Sequence, residues 1–583
     1  MNGRDGGMVR PSVRSALMSL PRTIQTAVGQ TLIGKVGRLF NGSVSDVLHE
    51  LLQNARRAGA TRVDIDSLDL AGHPTLIIRD DGAGIDDPAK LVTLGESGWN
   101  SDIADREDPA GMGVFSLAGH RVEIRSFSPA ASQGWRVIIT PDAWETGMPL
   151  EIAPHSIDRG TEILIDMPET WGDQLAPAAS RATKYYPLPV RLGSDPLERL
   201  DFLAGARRVE EWNGCRIGVF HDRELYTSQD PRINFHGVSI PCELPQVHEI
   251  EGQYAWRVRI DIVDAPALQL VLPARKEMVQ NAALGALREA AEQAIYRTIA
   301  TNDSHRLPHA QWLRAVTLGI ILPEAEPWLS AWEPRIADGH GIAEGNRIAG
   351  EAMILLPTEE PHIEQCANRV LRTGKPLGGT LVREIHALEG YSWYDALPRV
   401  TGLSFHVDSE AAIYDYNADS IVPEGVESGR VSAITLEIAI SASRDPSEDS
   451  DVYAFPTDVL IAPDDAWYAD IDQTAILLAS DAIISPISLA VLIDAACFSP
   501  GDDCGYDSWE TQHAYFQKRA RHIANELLLG EETAIIERIR GALWDEVSWL
   551  VPDGRKISIV AGRNEMTVAY MPTPDGPAAP SAA

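Results

Sequence analysis

Residues 49–84 read HELLQNARRAGATRVDIDSLDLAGHPTLIIRDDGAG, and a second block at 110–119 reads AGMGVFSLAG. In the first, Val47, Leu48, Leu51, Leu52 and Ala55 recur at helical spacing, and Glu50 and Asn54 stand four positions apart on one face of that helix. A general base and a metal ligand on that face would point into one pocket. Next come RVDI with strand alternation, a turn at AGHP and a short apolar strand TLIIR that ends at Asp80. This predicts a β-hairpin that delivers a carboxylate to the strand end, where it can accept a hydrogen bond from an exocyclic amine. Gly82 and Gly84 follow and permit positive φ and close backbone approach to a ligand. In the last block Gly111, Met112 and Gly113 are predicted to open a helix whose free amides suit phosphate oxygens.

Taken singly, these motifs have ordinary explanations: a solvated Glu and Asn, an Asx turn, a glycine loop. Taken in order, E50-L-L-Q-N54, D80-D-G-A-G84 and G111-M-G113 resemble the three boxes of the GHKL ATPase superfamily, the fold shared by Hsp90, gyrase B, MutL and histidine-kinase catalytic domains. The resemblance spans residues 24–170, and the layout is closest to Hsp90-like ATP-binding proteins. It implies ATP and Mg²⁺ as cofactors, Glu50 as the residue that orients and deprotonates water, Asn54 as a Mg²⁺ ligand and Asp80 as the adenine contact. Gly82, Gly84, Gly111, Met112 and Gly113 would line the nucleotide. Thr161, in RGTEILIDM, falls where the family's closing strand supplies a threonine beside that aspartate. Asp81 reads as a turn-forming neighbour.

The implied fold class is α/β (α+β), with an N-terminal two-layer sandwich of the Bergerat type. HRVEIRSF, GWRVIITPD and GTEILIDMP would complete its sheet, under the 49–57 helix and the helix after Gly113. The polar run between Ile85 and Ala110 is long enough for a lid; Ser97 and Trp99 within it read as a turn residue and a packing residue. A second α/β domain is expected over 171–303, with strands CRIGVF, INFHGVSIPCEL, YAWRVRIDIV and LQLVLPAR and a helix NAALGALREAAEQAIYRTIA. Arg275 and Lys276 follow its last strand, where relatives bring a cation to the γ-phosphate, so both are candidate catalytic residues. Residues 304–570 form a mixed α/β region without an assignable motif. The helices QHAYFQKRARHIANELL and AIIERIRGALWDEVSWL within it are expected to pack into an internal core. Residues 1–23 form a leader or strap, and 571–583 a Pro/Ala-rich tail.

GQTLIGKV at 29–36 imitates a Walker A loop, but Val36 stands where a hydroxyl must bind Mg²⁺, so it is set aside. DPSEDSD at 445–451 lacks EF-hand spacing. A net charge of −34 over 583 residues repels phosphates and anionic lipids. It favours ATP and protein partners or clients, leaves a homodimer open, and disfavours nucleic acid and membrane. Five cysteines without zinc spacing, and no apolar run of membrane length, fit a cytoplasmic chain. The expected activity is Mg²⁺-dependent ATP hydrolysis coupled to lid and domain closure, chaperone-like or assembly-factor-like. The competing readings are a nonhydrolytic ATP-binding scaffold, a histidine protein kinase and a MutL- or topoisomerase-like DNA machine.

Overall fold

The computed structural model describes residues 43–70, 72–92, 113–146, 148–223, 231–271, 277–339, 345–372, 377–444, 450–463, 471–501 and 507–571. The architecture is mixed α/β with several mixed sheets, and the chain divides into two compact units. The first is 1–303 with 313–322, and the second is 304–312 with 323–583.

The first unit begins with helix α1 (Val44–Arg57), which Ser43 caps by accepting the Asp46 amide at 3.2 Å. The predicted hairpin follows as β1 (Val63–Leu70) and β2 (His73–Asp80), paired antiparallel. Then come β3 (Val122–Ser128), β4 (Gln133–Ile139), β5 (Ile152–Pro154) and β6 (Thr161–Asp166). Helix α2 (Glu169–Thr183) leads into β7 (Val190–Leu192) and β8 (Asp195–Pro196), so the sheet continues to Pro196. The strand order is β5-β4-β3-β6-β2-β1-β7-β8, antiparallel except where β7 lies parallel to β1.

Strand parity gives this sheet two unlike faces. One row, with Ile78 opposite Ile163 and Ile163 opposite Ile124, lies on the face covered by α1 and α2, and Leu48, Leu52, Trp171 and Ala179 join the same core. On the other face Arg79 bonds Asp66 and Glu162, and Arg125 bonds Glu162 and Glu123, an alternating-charge ladder across four strands. Cross-strand pairs of opposite charge reinforce the register that the apolar rows set.

One expected element is shorter than its sequence suggested. The stretch after Gly113 is a 3₁₀ helix, Gly113–Leu117, because Gly119 at φ +92° ends it before an α-helix can propagate. Leu117 still buries itself in the α1 core.

Further along this unit, β9 (Arg208–Trp212), β10 (Cys215–Arg223), β11 (Pro231–Phe235), β12 (Val238–Pro241), β13 (Gln246–His248) and β14 (Tyr254–Ile262) form a six-stranded sheet. Helix α3 (Ala282–Ile299) packs on it. Of LQLVLPAR, residues 268–271 are described and form no strand; Leu270 makes a single bridge to Met278, and Asn281 caps α3 three residues after that.

The second unit holds a five-strand path built on Met353–Leu356, Thr380–Arg383, Arg399–Asp408, Ala433–Ser441 and Asp451–Pro456. Its core includes Phe405, Leu436 and Ile438 from that sheet and Ile363 from the Pro361–Leu371 helix. Glu364, on that helix, is buried but accepts from Trp332, the Arg335 and Glu359 amides and Arg383. Four donors offset the desolvation of its charge. Among the described residues no helix is long and apolar enough to cross a membrane.

Gly160 and Gly119 test how tightly the first sheet is built, since both have positive φ. A Cβ on Gly160 would lie 2.0 Å from the Asp80 carbonyl oxygen, whereas one on Gly119 meets nothing within 4 Å. Gly160→Ala is expected to lower stability by about 2–4 kcal/mol and Gly119→Ala by about 1 kcal/mol. Equal urea midpoints for the two variants would contradict that contact.

Candidate functional site

The row on the helix-covered face beyond Ile78 and Ile163 changes character. Its register runs Trp135, Ser126, Thr161, Asp80, Val63, Val190 across six strands. The outer positions are apolar, and the three central ones are a hydroxyl, a hydroxyl and a carboxylate. Within this trio the Ser126 and Thr161 hydroxyls bond at 2.8 Å, and Ser126 Oγ also donates to the Gly160 carbonyl at 3.2 Å and accepts the Ile85 amide at 3.0 Å. Asp80 accepts the Gly82 amide at 2.9 Å and the Thr161 amide. Burial pushes its carboxyl up to about 6, and the nearby Asp81 charge adds to this against the two amides. Two donors engage only part of a carboxylate's acceptor capacity.

The loop after Asp80 is fastened to the end of α1. Ala83 donates its amide to the Ala58 carbonyl at 2.8 Å, and a Cβ on Gly82 would come within 2.7 Å of the Ala58 Cβ. Gly84 has φ +83°, and a Cβ there would lie 2.2 Å from the Phe127 carbonyl oxygen. The close approach that these glycines permit is therefore of the protein's own backbone. Asp81 does more than turn the chain. Its carboxylate accepts the Thr61 amide at 2.6 Å, the Thr61 hydroxyl and the Arg62 amide at 3.2 Å, which binds the start of β1 to the loop. Slight burial works against ionisation, but these donors outweigh it and hold the carboxyl down to about 2.

On α1, Glu50 is buried and Asn54 half-buried. Arg57 donates to the Asn54 side-chain oxygen at 3.4 Å, and the helix ends as the Ala58 amide bonds the Asn54 carbonyl. The 3₁₀ turn that starts at Gly113 packs on the same helix. The structure thus gathers α1 with Glu50 and Asn54, the Asp80–Gly84 loop, Thr161 and the segment from Gly113. Gly111, Met112, Arg275, Lys276, most of the expected lid with Ser97 and Trp99, the Walker-like stretch and residues 1–23 lie outside the described residues.

Two residues escaped the sequence reading. Ser126 is fully buried and Gln53 nearly so. Gln53 donates to the His236 carbonyl at 2.7 Å, and Tyr186 donates to the Leu52 carbonyl at 2.6 Å. The first bond ties α1 to the following sheet, and the second ties it to the segment between α2 and β7. In each case the signal was a polar residue at a position whose periodic neighbours are apolar, Val122 and Ile124 for Ser126, and the α1 core face for Gln53.

No family model matches the chain. It is similar to the DNA mismatch repair protein MutL of Cellvibrio japonicus (strain Ueda107), 30% identical over 128 residues, which is 20% of this chain and 20% of that protein. It is also 30% identical over 138 residues to the protein of the same name from Anaeromyxobacter sp. (strain K), 22% of each chain. MutL is a GHKL protein. The likeness therefore supports the GHKL superfamily. It does not reach an Hsp90-like subtype, and the matched segment is about a fifth of each relative's length.

Asp80 has a pH signature of its own. A carboxyl whose folded value is raised contributes stability that is complete below its unfolded value near 3.8 and is lost as pH rises through about 6. Wild type is therefore expected to lose stability relative to Asp80→Asn between pH 4 and about 6. Urea midpoints of the two proteins that stay parallel over that interval would contradict the burial of this group.

Proposed function

We propose that the chain is a GHKL-type ATPase that binds ATP between α1 and the polar trio and hydrolyses it with Mg²⁺. The observation that carries this reading is the row Ser126–Thr161–Asp80, two buried hydroxyls and a half-buried carboxylate on the apolar face of the sheet, beside a helix that bears Glu50 and Asn54. The donor set suits the two ligands. A carboxylate with acceptor capacity left, beside hydroxyls that already satisfy one another, matches an adenine amino group, and the Asn54 amide oxygen is a hard ligand of the kind Mg²⁺ prefers. Bound through Asn54, Mg²⁺ would offset phosphate charge.

On this reading the chain's own groups do the rest. Asp80 accepts from the adenine amino group, with Thr161 and Ser126 holding the strand that backs it. Glu50 aligns water and takes its proton. Gly111, Met112 and Gly113 offer backbone amides to the phosphates, and Arg275 or Lys276 supplies a cation to the γ-phosphate. Nucleotide state then biases an open-to-closed equilibrium that a protein client reads, in chaperone or assembly-factor fashion. A cytoplasmic setting agrees with Cys215, Cys242, Cys366 and Cys497 being free thiols.

A second reading, a DNA-linked machine, is favoured by the printed name of the relatives and opposed by the net charge of −34. DNA binding that weakens linearly in log salt would select it.

In steady-state assays with Mg²⁺, Glu50→Ala is expected to retain ATP and lose about 10²–10⁴-fold in kcat. Loss of a charge-assisted hydrogen bond predicts ATP affinity roughly tenfold or more weaker for Asp80→Asn. Unchanged turnover in the first variant removes Glu50 as base, and unchanged affinity in the second removes the adenine contact. For Arg275→Ala/Lys276→Ala, normal turnover would reject the cation role.

A further inference from the structure

Helix α1 is gripped by two polar side chains as well as by its apolar core. Gln53 and Tyr186 are both buried; Gln53 donates its side-chain amide to the His236 carbonyl at 2.7 Å, and Tyr186 donates its hydroxyl to the Leu52 carbonyl at 2.6 Å. The same hydroxyl accepts the Arg56 amide. Leu52 and Arg56 are the two ends of one i to i−4 step, so the phenol joins the backbone ladder at the turn that bears Asn54. Burial keeps this phenol protonated, and it is therefore able to donate.

Both anchors belong to one packed assembly. His236 and Gly237 are the two central residues of the turn between β11 and β12, with φ +52° and +98°. A turn of that kind favours Asn-Gly or Asp-Gly, and a histidine at its first position adds backbone strain. A Cβ on Gly237 would lie 3.1 Å from the Cα and Cβ of Tyr186, so the turn sits directly against that residue. Asn234 ties the two together, accepting the Gly237 amide at 2.9 Å and donating to the Tyr185 carbonyl at 3.2 Å. Its side-chain amide also donates to Asp261 on β14 at 2.7 Å, which anchors the assembly in the six-stranded sheet.

A grip of this kind governs aim more than hold. The burial of Leu48, Leu51 and Leu52 is non-directional and admits small rotations of α1 about its axis, whereas two hydrogen bonds to fixed groups do not. Glu50 lies three positions before Gln53 and Asn54 directly after it, so both turn with the helix. Asp80, at the end of a strand, does not. We infer that Gln53 and Tyr186 are positioning residues that set the aim of Glu50 at water, and so the rate of hydrolysis, while the hold on the nucleotide is set elsewhere. The inference rests on the ATPase reading above.

Gln53→Met and Tyr186→Phe keep side-chain bulk and remove the donors, and the full chain carrying each is the test. With ATP and Mg²⁺, each variant is expected to lose about 10–10²-fold in kcat, the scale of a small misplacement of a catalytic group. The dissociation constant of a nonhydrolysable ATP analogue is expected to stay within about threefold of wild type. The double variant is expected to lose less than the product of the two single losses, because both bonds act on one helix. Amide hydrogen exchange at residues 50–57 is expected to quicken in either variant without nucleotide, a readout independent of turnover. Should Gln53→Met not fold, Tyr186→Phe decides alone. Wild-type turnover in the variants, with Glu50→Ala impaired, overturns the inference and leaves the ATPase reading standing. Affinity that falls as far as kcat overturns it too, as do unchanged exchange rates. A wild type that hydrolyses no ATP defeats the ATPase reading itself, and the inference with it.

Discussion

A carboxylate in the middle of an apolar sheet row is the constraint from which the first unit is best understood. Asp80 sits between Thr161 and Val63, and burial, with the Asp81 charge beside it, raises its carboxyl to about 6 against two amides. An apolar residue here would match Val63 and Val190 in the same row, at the loss of the acceptor for the Gly82 and Thr161 amides. Instead the neighbouring hydroxyls of Thr161 and Ser126 bond each other, and only two backbone amides engage the carboxylate. Buried polar groups with spare acceptor capacity are where a fold gives up stability for chemistry.

The surroundings make that carboxylate rigid. Asp81 binds β1 to the loop, Ala83 binds the loop to the end of α1, and Gly160 admits the Asp80 carbonyl so closely that no side chain fits. Gln53 and Tyr186 fix α1 through the His236 and Leu52 carbonyls. A ligand that bridges α1 and the loop therefore meets groups already oriented, and loses little entropy in ordering them. The charged ladder on the opposite face holds β1, β2, β6 and β3 in register, so the position of Asp80 relative to Thr161 does not drift.

What could be read from the sequence was periodic. The α1 stripe, the β1–β2 hairpin, the strands β3, β4, β6, β10 and β14 and the helix Ala282–Ile299 all announce themselves by a period of two or 3.6. Ser126 and Gln53 were overlooked because a polar residue in an apolar phase reads as noise until its partner, Thr161 or the His236 carbonyl, is brought from far along the chain. Residues 268–271 mislead because a continuous apolar run has no period; among these described residues only Leu270 makes a bridge, to Met278. The helix after Gly113 is shorter than its sequence suggests, since Gly119 at positive φ ends it. The Glu531–Val547 helix shows the opposite limit: its pattern is amphipathic, yet Ala534 is its one buried residue among those described.

Where a nucleotide's base lies decides the role of Asp80. A crystal structure of the full chain with Mg²⁺ and a nonhydrolysable ATP analogue measures this directly. It is predicted to place the adenine amino nitrogen within about 3.2 Å of an Asp80 carboxylate oxygen. An analogue bound elsewhere, or an Asp80 carboxylate that contacts no part of it, would contradict the account.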